Sequence, residues 1–277
     1  MRIDAHQHYW KLERGDYGWL TPALGILYRD YLPADLKPHL EREGIDRTVV
    51  VQAAPTVAET EFLLDLAESE PSIAGVVGWL DMEAADFEAT LDRLRARPKF
   101  CGIRPMIQDI ADDDWMLRPA VQRAFAAVQE RGCTFDFLTF PRHLPRVLRV
   151  LDEFPQLRCV VDHLSKPPIK SGELEPWRTD LARVAAHPTV WCKLSGMVTE
   201  ADHRNWRPAD LVPYVRHAVA CFGWERVMFG SDWPVCLLAA DYSRVVAALV
   251  EALGEELTPE REALIFGANA ARFYGLS

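Results

Sequence analysis

Short, β-rich apolar runs recur along the chain at Arg2 to Ala5, Thr48 to Ala53, Ala74 to Leu80, Cys101 to Pro105, Thr134 to Leu138, Arg158 to Asp162, Thr189 to Leu194 and Arg226 to Gly230. The stretches between them have helical spacing. Thr56 to Glu70 sets Val57, Phe62, Leu63 and Leu66 on one stripe with acids elsewhere, and Asp86 to Arg97 repeats this with Phe87, Leu91 and Leu94 before Pro98 stops it. Leu117 to Arg131, Leu144 to Phe154, Trp177 to His187, Ala209 to Phe222 and Ser243 to Leu253 fill further crossover positions. Thr258-Pro259 reads as a cap followed by a first-turn proline, opening a terminal helix. Eight strands alternating with helices predict an α/β fold, a single (β/α)8 TIM-type barrel spanning residues 1–277. No repeat, Gly/Ser linker or low-complexity tract divides it. The connections Tyr9 to Leu32 and Ser165 to Pro176 are long and follow strands, which places them over the C-terminal face as candidate lids or substrate walls.

Size and composition are consistent with this. A chain of 277 residues, 49% hydrophobic, suffices for one large core. A formal charge of -10 argues against a nucleic-acid or anionic-membrane surface but leaves an anionic small substrate open, because one local Arg or Lys can override the global field. No apolar run reaches membrane-spanning length and no signal-peptide pattern opens the chain, so a cytoplasmic enzyme is expected. Six dispersed cysteines without CxxC spacing point to reduced thiols.

Candidate chemistry lies at the strand ends. His6 and His8 are two apart, so a strand presents both imidazoles on one face. His163 and Asp232 close the sixth and eighth runs, and in a barrel all four converge on one cavity. Three imidazoles and a carboxylate can hold Zn²⁺ or a similar ion with a position left for water. The same group without metal offers Asp232 as a general base and imidazoles to polarise a carbonyl. Lys193 and Ser195 share one face of the seventh run; if that face is the lumen, Lys193 is a buried amine needing a partner such as Asp232. Strand parity turns Gln7 and Asp162 away from the site, into supporting roles. Tyr9, Trp10, Trp19, Tyr28, Trp79 and Trp233 gather near strand ends or in the first long loop, where aromatic faces can pack on a sugar ring.

The segments Ile3-Asp4-Ala5-His6-Gln7-His8-Tyr9-Trp10, Val161-Asp162-His163-Leu164-Ser165-Lys166-Pro167, Cys192-Lys193-Leu194-Ser195-Gly196, Met228-Phe229-Gly230-Ser231-Asp232-Trp233-Pro234 and Gly267-Ala268-Asn269-Ala270-Ala271-Arg272-Phe273-Tyr274 together resemble the amidohydrolase superfamily, in the amidohydrolase 2 branch. Within it the chain is similar to sugar-acid lactonases of the L-fuconolactonase and L-rhamnono-lactonase type. The resemblance covers nearly the whole chain. It implies that His6 and His8 are the first-strand pair, that His163 is the histidine near the sixth strand, and that Asp232 is the aspartate taking a proton from water. The fifth run, Thr134 to Leu138, departs from the pattern: it lacks the lysine, glutamate or histidine that bridges two metals in many members, and only Asp136 comes close.

The expectation is therefore hydrolysis of a sugar-acid lactone, such as L-fucono-1,5-lactone or an L-rhamnono-lactone, by Asp232-activated water. The candidate metal site, at His6, His8, His163 and Asp232, holds one divalent ion, zinc first, or none; no organic cofactor is expected. A lactone carries a better leaving group than an amide, so oriented hydrogen bonds contributing roughly 2.7–4 kcal/mol each can replace a metal. Arg104 is placed to give the substrate a fork of such bonds, and Trp233, Lys193, Trp19 and Tyr28 are the other substrate-binding candidates. A metal-dependent decarboxylase or amide hydrolase of the same superfamily is the enzymatic rival. A non-catalytic sugar-acid-binding protein is the other, against which Asp232 beside three histidines weighs. The expected partner is the small-molecule lactone, with no nucleic acid or membrane; a homo-oligomer is compatible with the sequence.

Overall fold

In a computed structural model describing residues 1–276, the strands are β1 (Ile3–Gln7), β2 (Arg47–Val51), β3 (Ile73–Gly78), β4 (Phe100–Ile103), β5 (Thr134–Phe137), β6 (Cys159–Val161), β7 (Val190–Leu194) and β8 (Val227–Phe229). Each pairs in parallel with the next in sequence, giving the expected (β/α)8 barrel. β1 runs two residues further than its apolar run, so His6 lies within the strand. The last seam is closed at the mouth, where the N–H of Asp232 donates to His6 O at 2.8 Å and that of His8 to Trp233 O at 2.7 Å.

Strand parity sorts the core into two layers. Val50, Val76, Ile103, Phe135, Phe137, Cys192 and Phe229 pack outward in the large cluster that includes the helices. Ile3, Ala5, Val49, Val51, Val77, Val160 and Met228 fill the lumen with Ala270, Phe273 and Tyr274, which come from the helix Asn269–Tyr274 and plug the barrel floor. Each such fully buried aliphatic or aromatic side chain contributes roughly 1.5–3 kcal/mol. Above this apolar floor the lumen turns charged.

The helices follow the expected crossovers within a few residues, and Thr258 Oγ1 caps the terminal segment by accepting from Arg261 N. The helix Pro33–Glu43, which carries two prolines, was not among those expected. Pro33 occupies the first turn, Asp35 accepts from Leu32 N at 3.0 Å, and Leu36 and Leu40 bury one face, so the helix forms around Pro38. The connection Tyr9 to Leu32 is stapled at its base by paired backbone bonds between Trp10 and Tyr31. All six cysteines carry free thiols. Among the described residues no helix is long and apolar enough to cross a membrane.

Candidate active site

A simple alternation would send Ala5 inward and His6 outward. β1 instead slips register against β2 between Asp4 and Gln7, where three steps on one strand match two on the other. The bulge leaves Asp4 and Gln7 facing out, Gln7 Nε2 bonding Thr48 Oγ1 at 3.0 Å, while His6 and His8 both point into the lumen. Asp4 pins this shape. Its Oδ1 accepts from His6 N at 3.0 Å and Ser231 N at 2.9 Å, and its Oδ2 from Ser231 Oγ at 2.5 Å and Tyr242 OH at 3.0 Å. Gly230 completes the contact, since a Cβ there would lie 2.6 Å from His6 Cβ.

After β6 the chain does something rarer. His163, Leu164, Ser165 and Lys166 all take left-handed backbone angles, with φ of 53°, 55°, 60° and 50°. For non-glycine residues this costs about 1–2 kcal/mol each, so the turn must be held from outside. Trp177 Nε1 donates to Leu164 O at 2.7 Å, Ser165 Oγ bonds Thr139 Oγ1 at 2.8 Å, and His163 Nδ1 bonds Ser195 Oγ at 2.8 Å. Gly196, itself at φ 60°, lets the His163 ring lie flush, because a Cβ there would fall 2.5 Å from Nδ1.

These devices bring the four expected residues together. His8 Nε2 lies 3.2 Å from Asp232 Oδ1, and His6 Nε2 and His163 Nε2 each lie 3.8 Å from the same oxygen. Asp232 also sits at positive φ, 57°, on the turn after β8. A cavity of about 230 Å³ opens above them, walled by His8, His163, Asp232, Arg104, Lys166 and Trp19 among others. Burial pushes His6 and His163 well below the ordinary imidazole range and lowers His8, so all three are neutral at neutral pH. Burial works to raise Asp232, but the facing His163 and His8 outweigh it and hold the carboxyl below its usual value.

The His8 tautomer follows from its partner. His8 Nδ1–H donates to Val51 O at 2.7 Å, which leaves the Nε2 lone pair facing Asp232. Arg104 Nη1 lies 3.2 Å from His6 Nε2 and Lys193 Nζ 3.1 Å from its Nδ1, so both ring nitrogens face cationic donors, with Asp162 Oδ1 3.5 Å from Nδ1. A bare imidazole nitrogen 3.2 Å from a carboxylate oxygen is an acceptor against an acceptor unless a proton or cation lies between them. His6, His8 and Asp232 bring three donor atoms within reach of one divalent ion, and His6, Asp162 and His163 form a second such set that shares His6. Asp136 does not extend the site: its Oδ2 accepts from Lys193 Nζ at 2.6 Å and Tyr274 OH at 2.8 Å.

Other expectations change. Asp162 faces into the lumen, not away, because the strand ends at Val161 and parity ends with it. Its carboxylate lies 3.0 Å from Lys193 Nζ and 3.4 Å from Arg104 Nη1. Lys193 is wholly buried beneath the cavity, and its partners are Asp136, Asp162 and His6 Nδ1, at 3.1 Å, rather than Asp232. With Arg104 these form a neutral set of two cations and two carboxylates. Burial raises Asp136 to about 6, whereas Lys193 and Arg104 overcome burial at Asp162 and lower it. Arg104 walls the cavity, with Nη1 on His6 and Asp162 and Nη2 on Gln52 O, while its buried Nε has no partner.

The aromatics also divide. Trp19 walls the cavity with its indole N–H tied to Ala53 O at 2.7 Å. Trp233 is buried behind Asp232, edge-on to Tyr31 at 5.1 Å, and Tyr28 is exposed; neither lines the cavity. Of the two long connections, the first contributes Trp19 and the second Lys166, so both are walls. Lys166, Gln108 and Asp109 are wall residues that sequence reasoning passed over; Lys166 lay in plain view, three residues after His163.

Comparison with known proteins agrees with this geometry. The chain is 45% identical over 277 residues to an L-fucono-1,5-lactonase of Burkholderia ambifaria, covering 99% of this chain and 95% of that one. It is 40% identical to an L-fucono-1,5-lactonase of Burkholderia multivorans, over 100% and 96% of the two. Crystal structures of an amidohydrolase from Burkholderia multivorans, one with bound zinc and one with bound HEPES, superpose with a TM-score of 0.93 at 38% identity over the full length of both chains. Residues 3–276 match the amidohydrolase family, and the chain belongs to it.

Proposed function

We propose that this enzyme hydrolyses the ring ester of a sugar-acid lactone, an L-fucono-1,5-lactone before an L-rhamnono-lactone, with Asp232 as the general base. The observation that carries the reading is the meeting of His6, His8 and His163 around the ionised Asp232 at the foot of one sugar-sized cavity, in a chain that is full-length similar to two lactonases. Trp19 offers its ring face to the C–H face of the sugar, since its N–H is already bonded.

Water held against Asp232 gives up a proton to Oδ1 as its oxygen adds to the lactone carbonyl. The three imidazoles, lowered by burial, leave Asp232 as the group that takes and returns that proton. Asp232 then returns the proton to the ring oxygen as the C–O bond breaks, so one residue serves as base and acid in turn. His6, His8, His163 and Asp232 are the residues that would hold one divalent ion, zinc first, which when bound supplies polarisation of the carbonyl and acidification of the water. Arg104 serves as a positioning residue that fixes His6 and Asp162.

A pH-indicator assay over a panel of aldonolactones, with and without chelator and with metal content measured, tests reaction class and metal need together. Turnover of an L-fuconolactone is expected. Failure to open any lactone in the panel would end the reading.

A further inference from the structure

Arg104 and Lys166 are the two cations of the cavity wall, and they differ in what they have left to give. Arg104 bonds His6, Asp162 and Gln52 O through its two terminal nitrogens, and its unpartnered Nε is buried. The Lys166 ammonium is ion-paired with Glu200 Oε1 at 3.6 Å and lies over the Phe140 ring at 5.5 Å, and among the described residues it makes no closer polar contact. Its position is the product of the left-handed turn. Lys166 N donates to His163 O at 2.7 Å, closing a turn of three residues in which side chains three apart lie over one another. That turn places His163 and Lys166 on the same cavity, which an extended strand, alternating its sides, would not do. Four strained residues in a row, buttressed by Trp177, Thr139, Ser195 and Gly196, mark the pair at their two ends as functional.

We propose that Lys166 is a further catalytic residue, the cation that receives the acyl oxygen of the substrate; this rests on the lactonase reading. As the water oxygen bonds to the carbonyl carbon and Asp232 takes the water proton, the carbonyl π pair moves onto the acyl oxygen and meets a Lys166 N–H. Collapse breaks the bond to the ring oxygen, which takes the proton back from Asp232. The acid so formed loses its proton to solvent, and the product carboxylate remains opposite Lys166 until release.

The test compares wild type, Lys166→Met and Lys166→Arg with an L-fuconolactone as substrate and L-fuconate as inhibitor. Lys166→Met should lower kcat by about 100- to 1,000-fold with an unchanged thermal melt. It should also weaken competitive inhibition by fuconate by at least about tenfold. Lys166→Arg should restore part of both. A Lys166→Met enzyme with kcat within about threefold of wild type overturns the proposal, as does loss of kcat with fuconate inhibition intact. Should wild type open no lactone, the lactonase reading falls separately, and calorimetric titration of fuconate into wild type and Lys166→Met still decides: equal affinities overturn the role of Lys166, and weaker binding by the variant supports it.

Discussion

The backbone N–H of Asp232 donates to the carbonyl of His6 at 2.8 Å, so the seam that closes the barrel and the cluster that performs its chemistry are one place. Replacing the Asp232 carboxylate need not disturb that seam. Asp232→Asn keeps the backbone bond and gives the bare His8 Nε2 an N–H to accept. We expect kcat to fall by about 10²–10⁴-fold while the melting temperature stays at or above that of wild type, measured by indicator assay and calorimetry. A variant with near-normal turnover would remove Asp232 from the mechanism.

Metal content should saturate at one equivalent. The two donor sets, His6–His8–Asp232 and His6–Asp162–His163, share His6, and Asp136 is occupied by Lys193 and Tyr274. Elemental analysis after zinc loading and dialysis should give one ion per chain, and His8→Ala should lower the affinity by about 10–100-fold or more. Two tightly held ions in wild type would contradict this.

Lys193→Met leaves Asp136 and Asp162 buried without their shared cation. The expected loss is about 3–5 kcal/mol in urea unfolding, since the surviving charges stay uncompensated. Adding Asp136→Asn to Lys193→Met should cost less than the sum of the single changes, because it removes one stranded charge. Additive effects would mean that the pair does not interact as its 2.6 Å separation indicates.

Glu59 predicts a pH dependence of stability. Its buried carboxylate accepts from Ala53 N at 2.9 and 3.1 Å, and burial raises it from the ordinary 4.5 to about 8. The folded state therefore holds a proton that the unfolded chain has released between those values. Its contribution is fully present below about 4.5 and is lost as pH rises toward 8, at up to about 1.4 kcal/mol per pH unit. Glu59→Gln, which imitates the protonated form, should flatten that decline. An identical slope in both proteins, from chemical unfolding at several pH values, would refute it.

The barrel was legible because its strands and crossovers differ in hydrophobic period, and the His6, His8, His163 and Asp232 group was legible because a barrel gathers its strand ends. Orientation was harder. His6 reaches the lumen through a bulge anchored by Asp4, a contact made with a serine 227 residues away that no local pattern announces. Asp162 was misdirected because parity holds only while the strand does. The left-handed turn at His163 to Lys166 contains no glycine to betray it; its cause lies in Trp177, Thr139 and Gly196, on other elements. Lys193 was legible as a buried amine but not by partner, since Asp136 and Asp162 become its neighbours only when the barrel closes.

Closure of the seam at the site also gives the protein a timetable. His8 and Asp232 are separated by 224 residues, so at ordinary translation rates about 11 to 45 seconds pass between their synthesis. Throughout that interval β1 has no partner on its far side, and its two histidines stand at an open edge. Tyr274, whose hydroxyl donates to Asp136 Oδ2, arrives later still. The nascent chain thus carries half of its catalytic apparatus long before it can use it, and chaperone demand should be greatest just before β8 is made.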